Sequence, residues 1–210
     1  MRTAAVFVHG LFLNGAEFTL LRRRMAASHG FAGHRFSYPT VRGSMAATLE
    51  QLTRFVERID ADRIHFIGHS LGGVVLCRYF ERARPERVGR VVLLGAPLVE
   101  SRAARAVARF GFLKRIIGPL VADEFLNPCE PRRWSGAHEL GLIAGTRPMG
   151  LGRFFARFEE DCDGTVGLSE TKLPGHHAHL ALPVSHMGLL ASAEVARQVG
   201  EFLANGAFRS

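Results

Sequence analysis

The fold is decided by one stretch, Ile64-His65-Phe66-Ile67-Gly68-His69-Ser70-Leu71-Gly72-Gly73. The residues from Arg63 to Ile67 are rich in β-branched and aromatic side chains and contain no proline or glycine, which predicts a short buried strand. After Ser70 an apolar pattern with helical spacing continues until Arg84-Pro85, so the strand runs straight into a helix. A serine at such a tight turn has a crowded backbone and an outward hydroxyl, and flanking glycines avoid a Cβ collision.

The predicted helix begins near Leu71, so its unpaired N–H groups and the positive end of its dipole lie beside the Ser70 oxygen. That position suits negative charge that develops on a substrate carbonyl oxygen. A bare Gly-x-Ser-x-Gly occurs often by chance, but this one has the required strand before it and helix after it. Ser70 is therefore the candidate nucleophile.

Strand-like apolar runs alternate with helical patterns along the whole chain. The predicted strands cover 4–8, 34–38, 63–67, 88–94, 138–144 and 177–184, and the closing helix covers 187–204. This alternation predicts an α/β fold with a mostly parallel sheet of about six strands and helices on both faces. The length of 210 residues suits a single domain over 1–210. The segment 98–136 interrupts the rhythm, and it is predicted to form a small inserted cap that includes a basic helix at 101–117.

Composition excludes several classes of partner. The net charge of +8 comes from arginines that are spread along the chain, and no nucleic-acid-binding motif accompanies them. No apolar run reaches the roughly 18 residues that span a bilayer, and contact of helix 101–117 with a membrane surface is the less favoured alternative to packing on the sheet. The three cysteines lack a Cys-x-x-Cys pattern and the start of the chain lacks a secretory pattern, so a cytoplasmic location is expected.

Four motifs follow one another in the chain: Val8-His9-Gly10-Leu11, Gly68-His69-Ser70-Leu71-Gly72-Gly73, Asp163-Gly164-Thr165-Val166 and His186-Met187-Gly188-Leu189-Leu190. In these motifs the chain resembles the α/β-hydrolases, and specifically the small bacterial lipases and esterases with little or no lid. Serine, acid and histidine appear in the order of that family, and the motifs span 8–190. The resemblance implies an α/β-hydrolase fold and a serine hydrolase that needs no cofactor.

A serine hydroxyl needs a base within hydrogen-bond reach, and a carboxylate behind the imidazole fixes the tautomer of the base. Of ten histidines, His186 alone falls in the loop between the last predicted strand and the closing helix, where such folds deliver a base to the carboxyl edge of the sheet. Asp163 matches the acid turn of the family, and Asp161, two residues earlier, is its rival. The resemblance assigns the oxyanion hole to the backbone N–H groups of Leu11 and Leu71.

The remaining candidate residues concern the substrate and a metal. The aromatic residues Phe12, Phe154 and Phe155 are candidates for lining an acyl pocket, and His9 is interpreted as a structural histidine that pins its loop. The cluster of His176, His177 and His179 does not match a zinc-binding pattern, so no metal site is expected.

The sequence thus predicts a hydrolase of small-molecule carboxylic esters that acts through an acyl-enzyme. A small cap favours a rather open cleft and short to medium acyl chains. A thioesterase or an acyltransferase would use the same triad, and a non-catalytic binding protein on this fold is the alternative of a different class. The oligomeric state stays open.

Overall fold

A computed structural model describes residues 2–83, 85–108, 111–126, 132–135, 137–149 and 158–209. Within these ranges a sheet of six strands forms the centre of the molecule. The strands are β1 (Thr3–Val8), β2 (Ala32–Phe36), β3 (Arg63–His69), β4 (Val88–Leu94), β5 (Leu140–Gly145) and β6 (Ala178–Leu182). Their order in the sheet is β2-β1-β3-β4-β5-β6, and every neighbouring pair is parallel. The predicted α/β-hydrolase fold with a parallel sheet is therefore confirmed.

Helices cover both faces of the sheet. They are α1 (Thr19–His29), α2 (Met45–Glu57), α3 (Leu71–Arg82), α4 (Arg102–Ala108), α5 (Gly111–Phe125), α6 (Gly188–Ala191) and α7 (Ala193–Asn205). Along β1, Val6 and Val8 join a core with α2, α3 and α5, whereas Ala5 and Phe7 join a second core with α1, α6 and α7. Side chains of a strand point alternately to the two faces, so a strand that is apolar throughout supplies both cores.

Three predicted elements differ from the structure. The second strand lies at Ala32–Phe36, two residues earlier than predicted. The closing helix is two helices, because Ser192 caps α7 by accepting a hydrogen bond from the Val195 N–H at 3.3 Å. The basic helix predicted over 101–117 is described as α4 up to Ala108 and as α5 from Gly111, and α5 runs on to Phe125 through a kink at Gly118, where φ is 78°.

The described part of the chain bears on the expectations for membrane-spanning helices and for the cysteines. No described helix has the length and apolar character that crossing a bilayer requires. Cys77 and Cys162 are buried free thiols, and Cys129 lies outside the described residues.

His65 couples the stability of the fold to pH. The ring lies in β3 at 2 % exposure, and its Nδ1 accepts a hydrogen bond from the Arg90 N–H at 2.8 Å. Burial lowers the pKa of His65 to about 4 from 6.5. Between these two values the unfolded chain binds a proton that the folded chain does not bind, so the free energy of unfolding falls as the pH falls.

We therefore expect His65→Asn to flatten the pH dependence of stability between pH 4 and 6.5. The amide oxygen can accept from Arg90 but does not titrate, so the slope should fall by about 1.4 kcal/mol per pH unit. Urea denaturation at several pH values measures that slope. His177→Asn is the matched control, because exposed His177 also accepts a backbone N–H, from Leu140, at 3.1 Å. Identical slopes for wild type and His65→Asn would contradict the assignment.

Candidate active site

Ser70 lies at the junction of β3 and α3 in a backbone conformation that non-glycine residues rarely adopt. Its φ is 53° and its ψ is −123°. The Ser70 N–H donates to the Leu94 carbonyl oxygen at 2.9 Å, and its own carbonyl accepts from the Gly73 N–H at 2.9 Å. Such a conformation costs on the order of 1–3 kcal/mol and persists only where its surroundings impose it. The hydrogen bonds to β4 and to α3 impose it here.

Close packing explains why the residue two positions after the serine, Gly72, is a glycine. A Cβ at this position would collide with the Val8 carbonyl oxygen and would lie 2.6 Å from the His9 carbonyl oxygen. The first turn of α3 therefore packs directly against the end of β1. This contact brings Leu11, from the loop after β1, to the cavity that Ser70 lines.

Asp163 and His186 form a buried pair. The Asp163 Oδ2 lies 2.6 Å from the His186 Nδ1, and Asp163 is 1 % exposed. The other oxygen, Oδ1, accepts the N–H groups of Thr165 at 2.9 Å and of Val166 at 2.8 Å. Asp163 thus both caps its own turn and holds the ring, because each oxygen has a separate role. The carboxylate selects the tautomer with the proton on Nδ1 and leaves Nε2 able to accept a proton.

The two rival acids are in different environments. Asp161 is exposed, and its carbonyl oxygen accepts the Leu168 N–H at 2.8 Å. The carboxylate on the His186 ring belongs to Asp163, and the His186 N–H also donates to the Asp163 carbonyl oxygen at 2.9 Å. The geometry therefore favours Asp163 as the partner of the histidine.

Gly95 is a residue of the site that the sequence marked only as the end of a strand. Its φ is 53°, and an added Cβ would lie 2.9 Å from the Asp163 Oδ2 and 3.2 Å from the His186 Nδ1. The Asp163–His186 pair therefore packs directly against the backbone of Gly95, the residue after β4. A strand followed by glycine is too common a pattern to predict this contact.

One cavity of about 340 Å³ brings the predicted residues together. Ser70, His186, Leu11, Leu71 and Phe12 all line it. Leu71 is the first residue of α3, where helix N–H groups have no acceptor within the helix.

Of the three aromatic residues predicted to line the pocket, the structure describes one. Phe12 lies at this cavity with a φ of 62° and 60 % exposure. Its N–H donates to the Thr40 Oγ1 at 3.2 Å, which holds the strained loop after β1 in place. Phe154 and Phe155 lie outside the described residues.

His9 is built into the loop after β1. Its Nδ1 donates to the Gly10 carbonyl oxygen at 2.9 Å, and its Nε2 accepts the Tyr38 N–H at 3.2 Å. The Tyr38 hydroxyl donates to the His9 carbonyl oxygen at 2.8 Å, and burial lowers the pKa of His9. Both ring nitrogens are occupied, which fits the interpretation of a histidine that pins the loop.

His69 contributes more than the sequence suggested. Its ring is fully buried 4.6 Å from the His186 ring, and its Nε2 lies 3.2 Å from the His186 carbonyl oxygen. Burial lowers the pKa of His69 well below its usual value, so the neutral ring donates from Nε2 to that carbonyl. The residue before the serine thus holds the backbone of the histidine 117 positions later. No local sequence pattern reveals a contact over that separation.

The three histidines near the last strand have separate protein partners. His176 Nδ1 contacts the Leu173 carbonyl oxygen at 2.6 Å, and His179 Nε2 contacts the Thr171 Oγ1 at 2.9 Å. Among the described residues, no group of histidine, cysteine and acidic side chains is arranged to hold a metal ion.

Comparison with known proteins agrees with this fold. A family model described as alpha/beta hydrolase fold matches residues 6–118. The chain belongs to the alpha/beta hydrolase fold family. No curated protein matches the chain in sequence.

Solved structures with the same fold are distant in sequence. A mature lipase from Bacillus licheniformis has 17 % identity and a TM-score of 0.63, with 97 % of this chain and 91 % of that chain covered. A carboxylesterase from Bacillus subtilis has 16 % identity and a TM-score of 0.61, with 99 % and 85 % covered. A pyrethroid hydrolase has 15 % identity and a TM-score of 0.63, with 98 % and 99 % covered. At these identities the likeness shows the fold.

The His69 contact predicts different results for two substitutions. His69→Leu removes the donor to the His186 carbonyl oxygen, and a small displacement of the base should lower kcat by roughly 10- to 100-fold. In His69→Gln the amide N–H can replace Nε2–H, so most of the activity should return. Steady-state hydrolysis of a nitrophenyl ester measures both, with thermal unfolding as the control for folding. Equal losses in the two variants would show that the hydrogen bond is irrelevant.

Proposed function

We propose that this protein is a serine hydrolase of carboxylic esters that acts through an acyl-enzyme. One observation carries the proposal: the imidazole of His186 is bonded to a buried carboxylate at 2.6 Å and shares a cavity with Ser70. An imidazole held in this way is a base, and a serine on a strained turn is the nucleophile that such a base activates.

The proposed reaction has two halves. Ser70 Oγ attacks the ester carbonyl while His186 Nε2 takes its proton, and the imidazolium then protonates the leaving alcohol. Water attacks the acyl-enzyme while His186 Nε2 takes its proton, and the imidazolium then returns that proton to Ser70 Oγ as the carboxylic acid leaves. In both tetrahedral intermediates the Leu11 and Leu71 N–H groups donate to the oxyanion.

Asp163 supports the charge that appears on His186. Its carboxylate accepts two backbone N–H groups and the ring N–H, so its orientation is fixed before the substrate arrives. A fixed anion beside the ring stabilises the imidazolium without reorganisation during the reaction. Two of the structural neighbours are a lipase and a carboxylesterase, which favours carboxylic esters as the substrate class of this chain.

Ser70→Ala tests the nucleophile. Because members of a triad act as a unit, kcat for a nitrophenyl ester should fall by about 10⁴- to 10⁶-fold. A fluorophosphonate probe should label the wild-type chain and leave Ser70→Ala unlabelled. Full turnover by the variant would refute the assignment, and an unlabelled wild type would favour the non-catalytic binding protein.

The paired variants Asp163→Asn and Asp161→Asn test the acid. Asp163→Asn keeps the shape of the side chain but favours the wrong histidine tautomer, so kcat should fall by about 10⁴-fold. Asp161→Asn should keep kcat within about twofold, because exposed carboxylates contribute little to neighbouring charges. The opposite pattern would transfer the acid role to Asp161.

A further inference from the structure

Residues of α5 form part of the wall of the cavity that Ser70 lines. Val121 and Phe125 are four residues apart after the kink at Gly118, so they lie on the same side of the helix, and Ile117 comes directly before the kink. Ile117, Val121 and Phe125 are 5 %, 4 % and 9 % exposed, and all three line the cavity that contains Ser70 and His186. The residues that bound the cavity on this side are therefore apolar and enclosed.

The cavity accepts apolar groups and offers little to charged ones. Its described lining contains no aspartate, glutamate, lysine or arginine, and its only titratable side chains are His69 and His186. Burying an unpaired charge beside such walls is costly, whereas burying methylene groups is favourable. A volume of about 340 Å³ lies at the small end of the range for ligand sites. These properties fit a neutral acyl chain of limited length.

A buried ion cluster next to Phe125 holds the wall in place, and the Arg132 guanidinium lies over the Phe125 ring at 5.0 Å from its centroid. Glu124 accepts hydrogen bonds from Arg132 at 2.8 Å and from Arg78 of α3 at 2.9 Å. The Arg132 side chain is 2 % exposed, and it also donates to the Leu98 carbonyl oxygen at 2.9 Å. These bonds tie α5 to α3 and to the segment after β4. Separating such a cluster would leave buried charges unpaired.

The kink in α5 adds a second attachment. At Gly118 an added Cβ would collide with the carbonyl oxygen of Val41, and the kink directs Val121 and Phe125 towards the cavity. A helix held at Gly118 and at Glu124 has both ends of the lining face fixed. The α5 side chains that line the cavity therefore keep a fixed distance from Ser70 in the folded protein.

We infer that Ile117, Val121 and Phe125 of α5 limit the length of the acyl chain, and that the preferred substrates are esters of neutral acids of short to medium length. This inference rests on the proposed ester hydrolysis. It adds the residues that set chain length and excludes acyl groups that carry a charge. It also gives α5 from Ile117 to Phe125 the role of a fixed wall of the cavity.

Two substitutions of Val121 test the inference in opposite directions. Val121→Phe fills part of the cavity, so the ratio of kcat/KM for nitrophenyl octanoate to that for nitrophenyl butyrate should fall at least about tenfold. Val121→Ala enlarges the cavity and should raise the same ratio several-fold. Val199→Ala is the matched control, because Val199 is fully buried in the core on the other face of the sheet and does not line the cavity.

The outcomes separate the inference from the proposed function. Wild-type turnover with an octanoate-to-butyrate ratio that neither Val121 variant changes would overturn the role of α5 while leaving ester hydrolysis intact. A wild-type chain that hydrolyses no ester would overturn both. Thermal unfolding of each variant identifies a failure to fold, and in that case Val121→Ala alone decides. Turnover of a succinate half-ester at the rate of the butyrate ester would refute the exclusion of charge.

Discussion

The close approach of α3 to β1 is the constraint on which the site depends. Gly72 lies so near the carbonyl oxygens of Val8 and His9 that no side chain fits between them. This contact fixes the start of α3, and with it the strained Ser70 turn, against the loop that carries Leu11. The proposed nucleophile and both proposed oxyanion donors are thus arranged by backbone packing before any substrate is bound.

The other half of the site comes from the loops after β5 and β6. Asp163 lies in the segment between these strands, and His186 follows β6. The carboxyl ends of parallel strands meet at one edge of the sheet, so residues distant in sequence converge there. Gly95 completes the arrangement, because the absence of a side chain after β4 leaves room for the Asp163–His186 pair.

Much of the fold could be predicted from the sequence, because strands buried on both faces are apolar throughout and stand out from helices. β4 was predicted with its observed bounds, and α3 was predicted to begin near Leu71, where the structure begins it. Single residues that change the local geometry were harder to predict. Ser192 ends one helix and caps the next without interrupting the apolar pattern that signals a helix, and the predicted basic helix ended at 117, whereas α5 continues beyond the kink at Gly118.

The residues of the candidate site also differ in how well the sequence predicts them. Ser70, Asp163 and His186 could be selected from motif and position, whereas the contact of His69 with the His186 backbone and the ion cluster of Glu124 depend on tertiary packing. Such long-range contacts have no local sequence signature. The His69 contact nevertheless fixes the backbone of His186, and the Glu124 cluster fixes α5.

The position of β6 has a consequence for synthesis on the ribosome. Among the described strands β6 pairs only with β5, at the end of the sheet, and the proposed base, His186, lies in the loop immediately after β6. A nascent chain that has exposed its first four strands can already form the serine turn, but it has no proton acceptor for it. Such an intermediate cannot attack cellular esters, so the proposed chemistry is switched on only when the carboxy-terminal strand has joined the sheet.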